Sequence, residues 1–78
     1  MPRFYLDYRD GDYFLADEDG IELASSEDAR AEATSILAQM ARDILHGTKR
    51  RELVVEVSDE NRKPLFRTAL SFEVRPVD

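Results

Sequence analysis

One uninterrupted helical segment constrains this chain more than any other feature. From Glu27 to about His46 there is no Gly or Pro and alanine is abundant. Ala29, Ala33, Ile36, Leu37, Met40, Ala41 and Ile44 recur at helical spacing and form a single apolar stripe. Arg30, Glu32, Ser35, Gln39, Arg42 and Asp43 take the opposite, solvated side. A lone amphipathic helix cannot bury its stripe against itself. In a chain of 78 residues the flanking segments must therefore supply the covering layer, and both flanks alternate with the period of a β-strand.

Ahead of the helix, "RFYLDYR" (residues 3–9) sets Phe4, Leu6 and Tyr8 against Arg3, Tyr5, Asp7 and Arg9. Asp10-Gly11 supplies the backbone freedom of a tight hairpin turn, of type I′ by its residues, and "DYFLA" (12–16) is the return strand. Asp19-Gly20 marks a second turn in the connection that follows, with Ile21 and Leu23 tucked against the core. Ser25 is the candidate N-cap because Asp28 stands three residues on, with Ser26 as the alternative. Glu27 and Asp28 suit the positive end of the helix, and Gly47 is its natural stop.

Beyond the helix, "RELVVEVS" (51–58) places Leu53, Val55 and Val57 on one face and Glu52, Val54 and Glu56 on the other. After the polar turn "DENRK", Pro64 opens "PLFRTALSFEV", in which Phe66, Thr68, Leu70, Phe72 and Val74 alternate with Leu65, Arg67, Ala69, Ser71 and Glu73. Pro76 to Asp78 are expected to fray. The order β-β-α-β-β predicts a two-layer α+β domain, a four-stranded antiparallel sheet with one long helix on one face. With no linker and no repeat it forms one domain over residues 1–78. Phe4, Leu6, Val55, Leu70 and Phe72 are expected to face the helix, leaving Tyr5, Val54 and Leu65 on the open side.

Few residues offer chemistry. Cysteine is absent, which excludes disulfides, thiol catalysis and Cys-based zinc sites. The one histidine, His46, stands near the helix C-terminus, where an imidazolium suits the helix dipole, so capping is its expected role. Asp17-x-Asp19-Gly20 satisfies only a fragment of a calcium loop and follows a strand. Asp7, Asp10, Asp12 and Asp17 could gather near the first hairpin as acid–base groups, yet turns are rich in aspartate for their own reasons. Neither a Gly-rich phosphate loop nor a dinucleotide fingerprint is present. Catalytic, cofactor and metal residues are therefore assigned to none. Asp10, Gly11, Asp19, Gly20, Ser25 and Gly47 are read as turn and cap positions.

The formal net charge of −6 opposes binding to a phosphate backbone. The exception is a small basic run, Lys49-Arg50-Arg51, which with Arg42 could form an anion-binding patch. Aromatic strands hint at a base-stacking sheet, but the element order is wrong for that RNA-binding module. The amino terminus, "MPRFYLDYRD", reads as neither signal peptide nor membrane span, so a cytoplasmic protein with no membrane partner is expected.

The order of "RDGD", "DEDGIEL", "ARAEA" and "ELVVEV" resembles a family of small uncharacterised bacterial proteins, domains of unknown function common in rhizobia and other alphaproteobacteria. The likeness runs over nearly the whole chain. In that family the turn after the helix-following strand usually reads Asp-Glu-x-Gly. Here it is Asp59-Glu60-Asn61-Arg62, and an Asn can take over a glycine's backbone position. The resemblance implies one compact domain in a bacterial cytoplasm and carries no activity, cofactor or catalytic residue. A looser similarity is to antitoxin-type domains that pair a small curled antiparallel sheet with one helix.

So small a chain buries only about 60–65% of its extended surface, so a partner's cover would help it. The leading expectation is a non-enzymatic protein acting through protein–protein contacts as a homodimer, using an edge strand or the open sheet face. The alternative is an antitoxin-like or nucleic-acid-associated protein using Arg42, Lys49, Arg50 and Arg51. A small hydrolase built on the hairpin aspartates is the third.

Overall fold

Alternation before and after the helix builds the sheet that the apolar stripe requires. In the computed structural model, which describes residues 1–77, β1 (Arg3–Asp10), β2 (Tyr13–Leu15) and β3 (Ile21–Glu22) precede α1 (Ser26–Ile44), and β4 (Arg50–Ser58) and β5 (Pro64–Glu73) follow it. All pairings are antiparallel and the strand order is β2-β1-β4-β5, with β3 also paired to β1. The result is a two-layer α+β fold. The β1–β2 turn places Gly11 at φ 60, in the left-handed region that favours glycine. The expected fraying of the last residues reaches Asp78, which lies outside the described residues.

The helix begins and ends on identifiable hydrogen bonds. Ser25 is the N-cap, and its Oγ accepts from the Asp28 N–H at 3.3 Å. At the other end Leu45 is the C-cap, its N–H donating to the Ala41 carbonyl at 3.1 Å. The Thr48 hydroxyl donates to the Ile44 carbonyl at 3.4 Å, so the helix stops two residues before His46, and Gly47 follows at φ 75.

Phe4, Leu6 and Tyr8 from β1, Leu53, Val55 and Val57 from β4, and Ala29, Ala33 and Leu37 from α1 form the buried core. Small alanines at the start of the stripe let the helix lie close to the sheet. Expectation and structure differ on β5. Phe66 packs against the core and Phe72 is half-buried, but Leu70 remains 36% exposed. The reason is width. Strands lie about 4.8 Å apart and a helix with its side chains is about 10 Å across, so one helix cannot span the sheet; α1 lies nearest β4 and then β5, and Leu70 stays at the margin of its cover. The second difference is β3, read from the sequence as part of a connection. It is a two-residue strand whose register sets Arg3 opposite Glu22 and Phe4 opposite Ile21.

Candidate functional site

An antiparallel strand points its backbone N–H and C=O groups alternately to its two neighbours. Here one hydrogen bond fixes that alternation for the whole sheet. The Val74 N–H donates to the Lys49 carbonyl at 2.7 Å, in line with the register that sets Leu70 opposite Leu53 and Phe72 opposite Arg51. Residues 66, 68, 70 and 72 of β5 therefore bond to β4. Carried across the sheet, the same alternation turns Tyr5, Asp7 and Arg9 of β1 toward β4, and Phe4, Leu6, Tyr8 and Asp10 outward.

On that outer side of β1 every outward position is occupied. Tyr8 and Asp10 pair with Leu15 and Tyr13 of β2, and Phe4 pairs with Ile21 of β3. Leu6 falls in the gap between the two short strands, and there a side chain replaces a strand. The Asp17 Oδ2 accepts the Leu6 N–H at 3.1 Å while its Oδ1 accepts the Gly20 N–H at 3.0 Å. The loop is held from the open face of the sheet as well. Asp7 Oδ1 accepts the Asp17 N–H at 2.8 Å, and the Arg62 guanidinium donates to the Asp17 carbonyl at 2.9 Å, pairs with Asp7 at 3.5 Å and lies 4.0 Å from the Tyr5 ring centroid. Arg3 donates to the Asp19 carbonyl at 2.7 Å. Gly20, at φ 71, sits so close that a Cβ would meet the Phe4 carbonyl oxygen at 2.9 Å.

This geometry redefines two sequence readings. Asp7 and Asp17 do come together, and their oxygens accept backbone N–H groups and a guanidinium, although Asp17 also lines the groove beside α1. In the β4–β5 turn the left-handed residue is Arg62, at φ 67, not Asn61. The Asp59 Oδ1 accepts the N–H groups of Asn61 and Lys63, both at 2.9 Å, which shapes a turn that throws the Arg62 side chain back across β1. No local pattern marks Arg62, which acts on residues some 45 positions away.

Asp10 lies apart, at the far end of β1. Arg51 grips it bidentately, Nε to Oδ1 at 2.8 Å and a terminal nitrogen to Oδ2 at 2.7 Å, and also donates to the Thr48 hydroxyl at 3.2 Å. The Arg51 hydrogen bond holds the Asp10 carboxyl below the usual carboxylate range. Burial pushes the neighbouring Tyr8 phenol up, with the Asp10 charge adding to the effect, and the Tyr8 hydroxyl is buried without a hydrogen-bond partner among the described residues. Asp12 is exposed, as is His46, and the hydrogen bonds at the helix C-terminus come from Leu45 and Thr48 rather than from His46.

The basic run divides between the two sheet faces. Arg51 points to the helix side and Asp10, whereas Arg50 alternates to the open side and pairs with Glu73 at 3.4 Å. Two of the four patch residues are thus engaged by carboxylates, on opposite surfaces. The open face is a mosaic of charge, with Arg67 on Glu56 at 3.0 Å and Arg9 stacked 4.9 Å from the Phe14 ring centroid. A groove of about 660 Å3 between α1 and β1–β2, floored by Leu6, Tyr8, Ile36 and Met40 and edged by Glu18, Asp19 and Glu32, presents neither a basic residue nor a Ser or Thr hydroxyl. Among the described residues, no group of three or more His, Cys, Asp or Glu is placed to hold a metal ion, and no helix is long and apolar enough to cross a membrane.

What stays open is β5. It ends the strand order, pairs only with β4, and runs ten residues from Pro64 to Glu73. Arg67, Ala69, Ser71 and Glu73 direct their backbone groups away from β4, with no strand to receive them among the described residues. Beside them lie Leu65, Leu70 and Val74, which are 42%, 36% and 56% exposed.

The model of a domain of unknown function, DUF6894, matches residues 3–71, from β1 into β5. The chain belongs to that family. No curated protein and no solved structure matches it.

Proposed function

We propose that this domain is non-enzymatic and acts through protein–protein contact, as a homodimer. The observation that carries this reading is the β5 edge. A long edge strand with open backbone groups and apolar neighbours pairs readily with another chain, and folded proteins ordinarily blunt such edges. The carboxylates weighed above as acid–base groups support the reading from the other direction. Asp7, Asp10 and Asp17 are engaged in holding β1 and its loop. A bacterial cytoplasm, alphaproteobacterial by the resemblance described above, is the setting that accompanies it. The antitoxin-like or nucleic-acid reading has less support, because Arg50 and Arg51 face opposite ways and each has an acidic partner.

Sedimentation velocity at low micromolar concentration tests the proposal, with a dimer as the expected result. A strictly monomeric species would overturn it. Ala69→Pro sharpens the test. The Ala69 N–H points away from β4, so proline there removes no bond within the chain, only the donor offered to a partner. The variant is expected to sediment as a folded monomer with an unchanged far-ultraviolet spectrum.

A further inference from the structure

We infer that two copies join β5 to β5, antiparallel, about a two-fold axis that passes between the Leu70 residues of the two chains. This rests on the homodimer reading and specifies its geometry. Side chains on paired strands must share a face, so opposing residues have the same parity, and the possible registers differ in steps of two. Centred on Thr68, Arg67 would face the partner's Ala69 and leave both charges without a cross-strand partner. Centred on Ala69, Arg67 would face the partner's Ser71 and Glu73 the partner's Leu65, so no opposite charges meet. Centred on Ser71, Arg67 would face the partner's Arg75, a like-charge contact. Centred on Leu70, Arg67 meets the partner's Glu73 twice by symmetry, and Ala69 meets the partner's Ser71. On the helix side, Leu70 meets its own copy, Thr68 meets the partner's Phe72, and Phe66 meets the partner's Val74. Of these registers it alone pairs opposite charges on the open face while keeping an almost wholly apolar row on the helix face. That row covers Leu70 and Val74, two residues α1 leaves exposed.

The backbone agrees. Leu70 bonds to β4, so the Leu70–Leu70 contact would be a non-hydrogen-bonded pair, while the outward groups of Ala69 and Ser71 exchange bonds with the partner. The two sheets become one continuous sheet with both helices on the same side, and the open edge disappears from each copy.

Two experiments on the full chain separate this geometry from dimerisation in general. A non-hydrogen-bonded pair brings Cα atoms to about 4.5 Å, within disulfide reach, so Leu70→Cys is expected to form an intermolecular disulfide on mild oxidation, whereas Thr68→Cys is not. Arg67→Glu and Glu73→Arg each place like charges opposite one another twice, and each is expected to weaken the dimer about tenfold at low salt. Mixing the two single variants restores both opposite-charge contacts, so the mixture is expected to dimerise as tightly as the unaltered chain, and so is the double variant. A change confined to the pairs each residue makes within its own chain, Arg67 with Glu56 and Glu73 with Arg50 and Arg75, would not be rescued by mixing. If the unaltered chain is a monomer, the homodimer reading and this register fall together. If it is a dimer but Leu70→Cys stays unlinked and mixing rescues nothing, the register is wrong and the homodimer reading stands.

Discussion

The sheet has two outer edges, and they are finished in opposite ways. Outside β1, two short strands and one carboxylate occupy each outward position, so on that side the sheet ends in strands of only three and two residues. Outside β5, ten residues run uncovered, with a proline at the start and a register shift opposite Val57 and Ser58 near that end. A chain this small spends much of its loop chemistry on one edge. Asp7, Asp17, Gly20 and Arg62 all serve it, while the other edge keeps the alternation of an interior strand. The closure of β1 is built into the chain, and the homodimer proposed above would use the openness of β5.

Opening the closed edge gives the largest expected effect. Asp17→Ala leaves the Leu6 and Gly20 N–H groups without their acceptor. Abandoned donors at such half-buried sites cost about 1–3 kcal/mol each, and toward the lower end here, so a loss of about 2–3 kcal/mol is expected in urea unfolding. If the two-edge account holds, the variant also forms species larger than a dimer, because each copy then has two free edges. A stable variant that sediments like the unaltered chain would show that the carboxylate is not what closes β1.

The glycines give a smaller effect that reads the same edge. Gly20→Ala combines a left-handed backbone with a 2.9 Å approach to the Phe4 carbonyl oxygen, and a loss of about 2 kcal/mol is expected. Gly11 has a similar φ but open space around it, so Gly11→Ala is expected to lose only about 1 kcal/mol. Equal losses at the two positions would mean that the loop at Gly20 does not press on β1.

Acid gives the smallest. The folded-state pKa of Asp10 is lowered by Arg51, so this group's contribution is fully present above its unfolded value of about 3.9 and is lost as pH falls through the lower folded value. Asp10→Asn is expected to be less stable than the unaltered chain at pH 7, with the gap closing below about pH 4. Glu27, lowered by Arg30, titrates in the same sense, so some acid sensitivity remains in the variant. A gap that persists unchanged at low pH would assign the difference to packing instead of charge.

These contrasts also mark how far the sequence could be read. The helix, both hairpin arms and the strong β4 pattern were legible because each depends on periodicity within a single element. The exposure of Leu70 was not, because the apolar alternation of β5 says which face a residue occupies but not how wide a helix is. Asp17 and Arg62 were illegible for another reason. Their work is to meet backbone groups 11 and 45 residues away, and no spacing within a turn encodes that. Asp17 looked like a fragment of a metal loop or an acid–base group, since carboxylates near glycine serve all three purposes. Once β1 is a strand with a short return arm, the outward Leu6 N–H needs an acceptor, and the next carboxylate along the chain is the first place to look.

Amide hydrogen exchange along β5, measured by NMR at high and low protein concentration, tests the central claim most directly. The amides of Leu70 and Phe72 bond to β4 in either case and are expected to exchange slowly throughout. The amides of Ala69 and Ser71 point outward, and the account predicts that they are equally slow at high concentration and become fast on dilution. Fast exchange at Ala69 and Ser71 at every concentration, beside slow exchange at Leu70 and Phe72, would show a β5 edge that stays open and would contradict it.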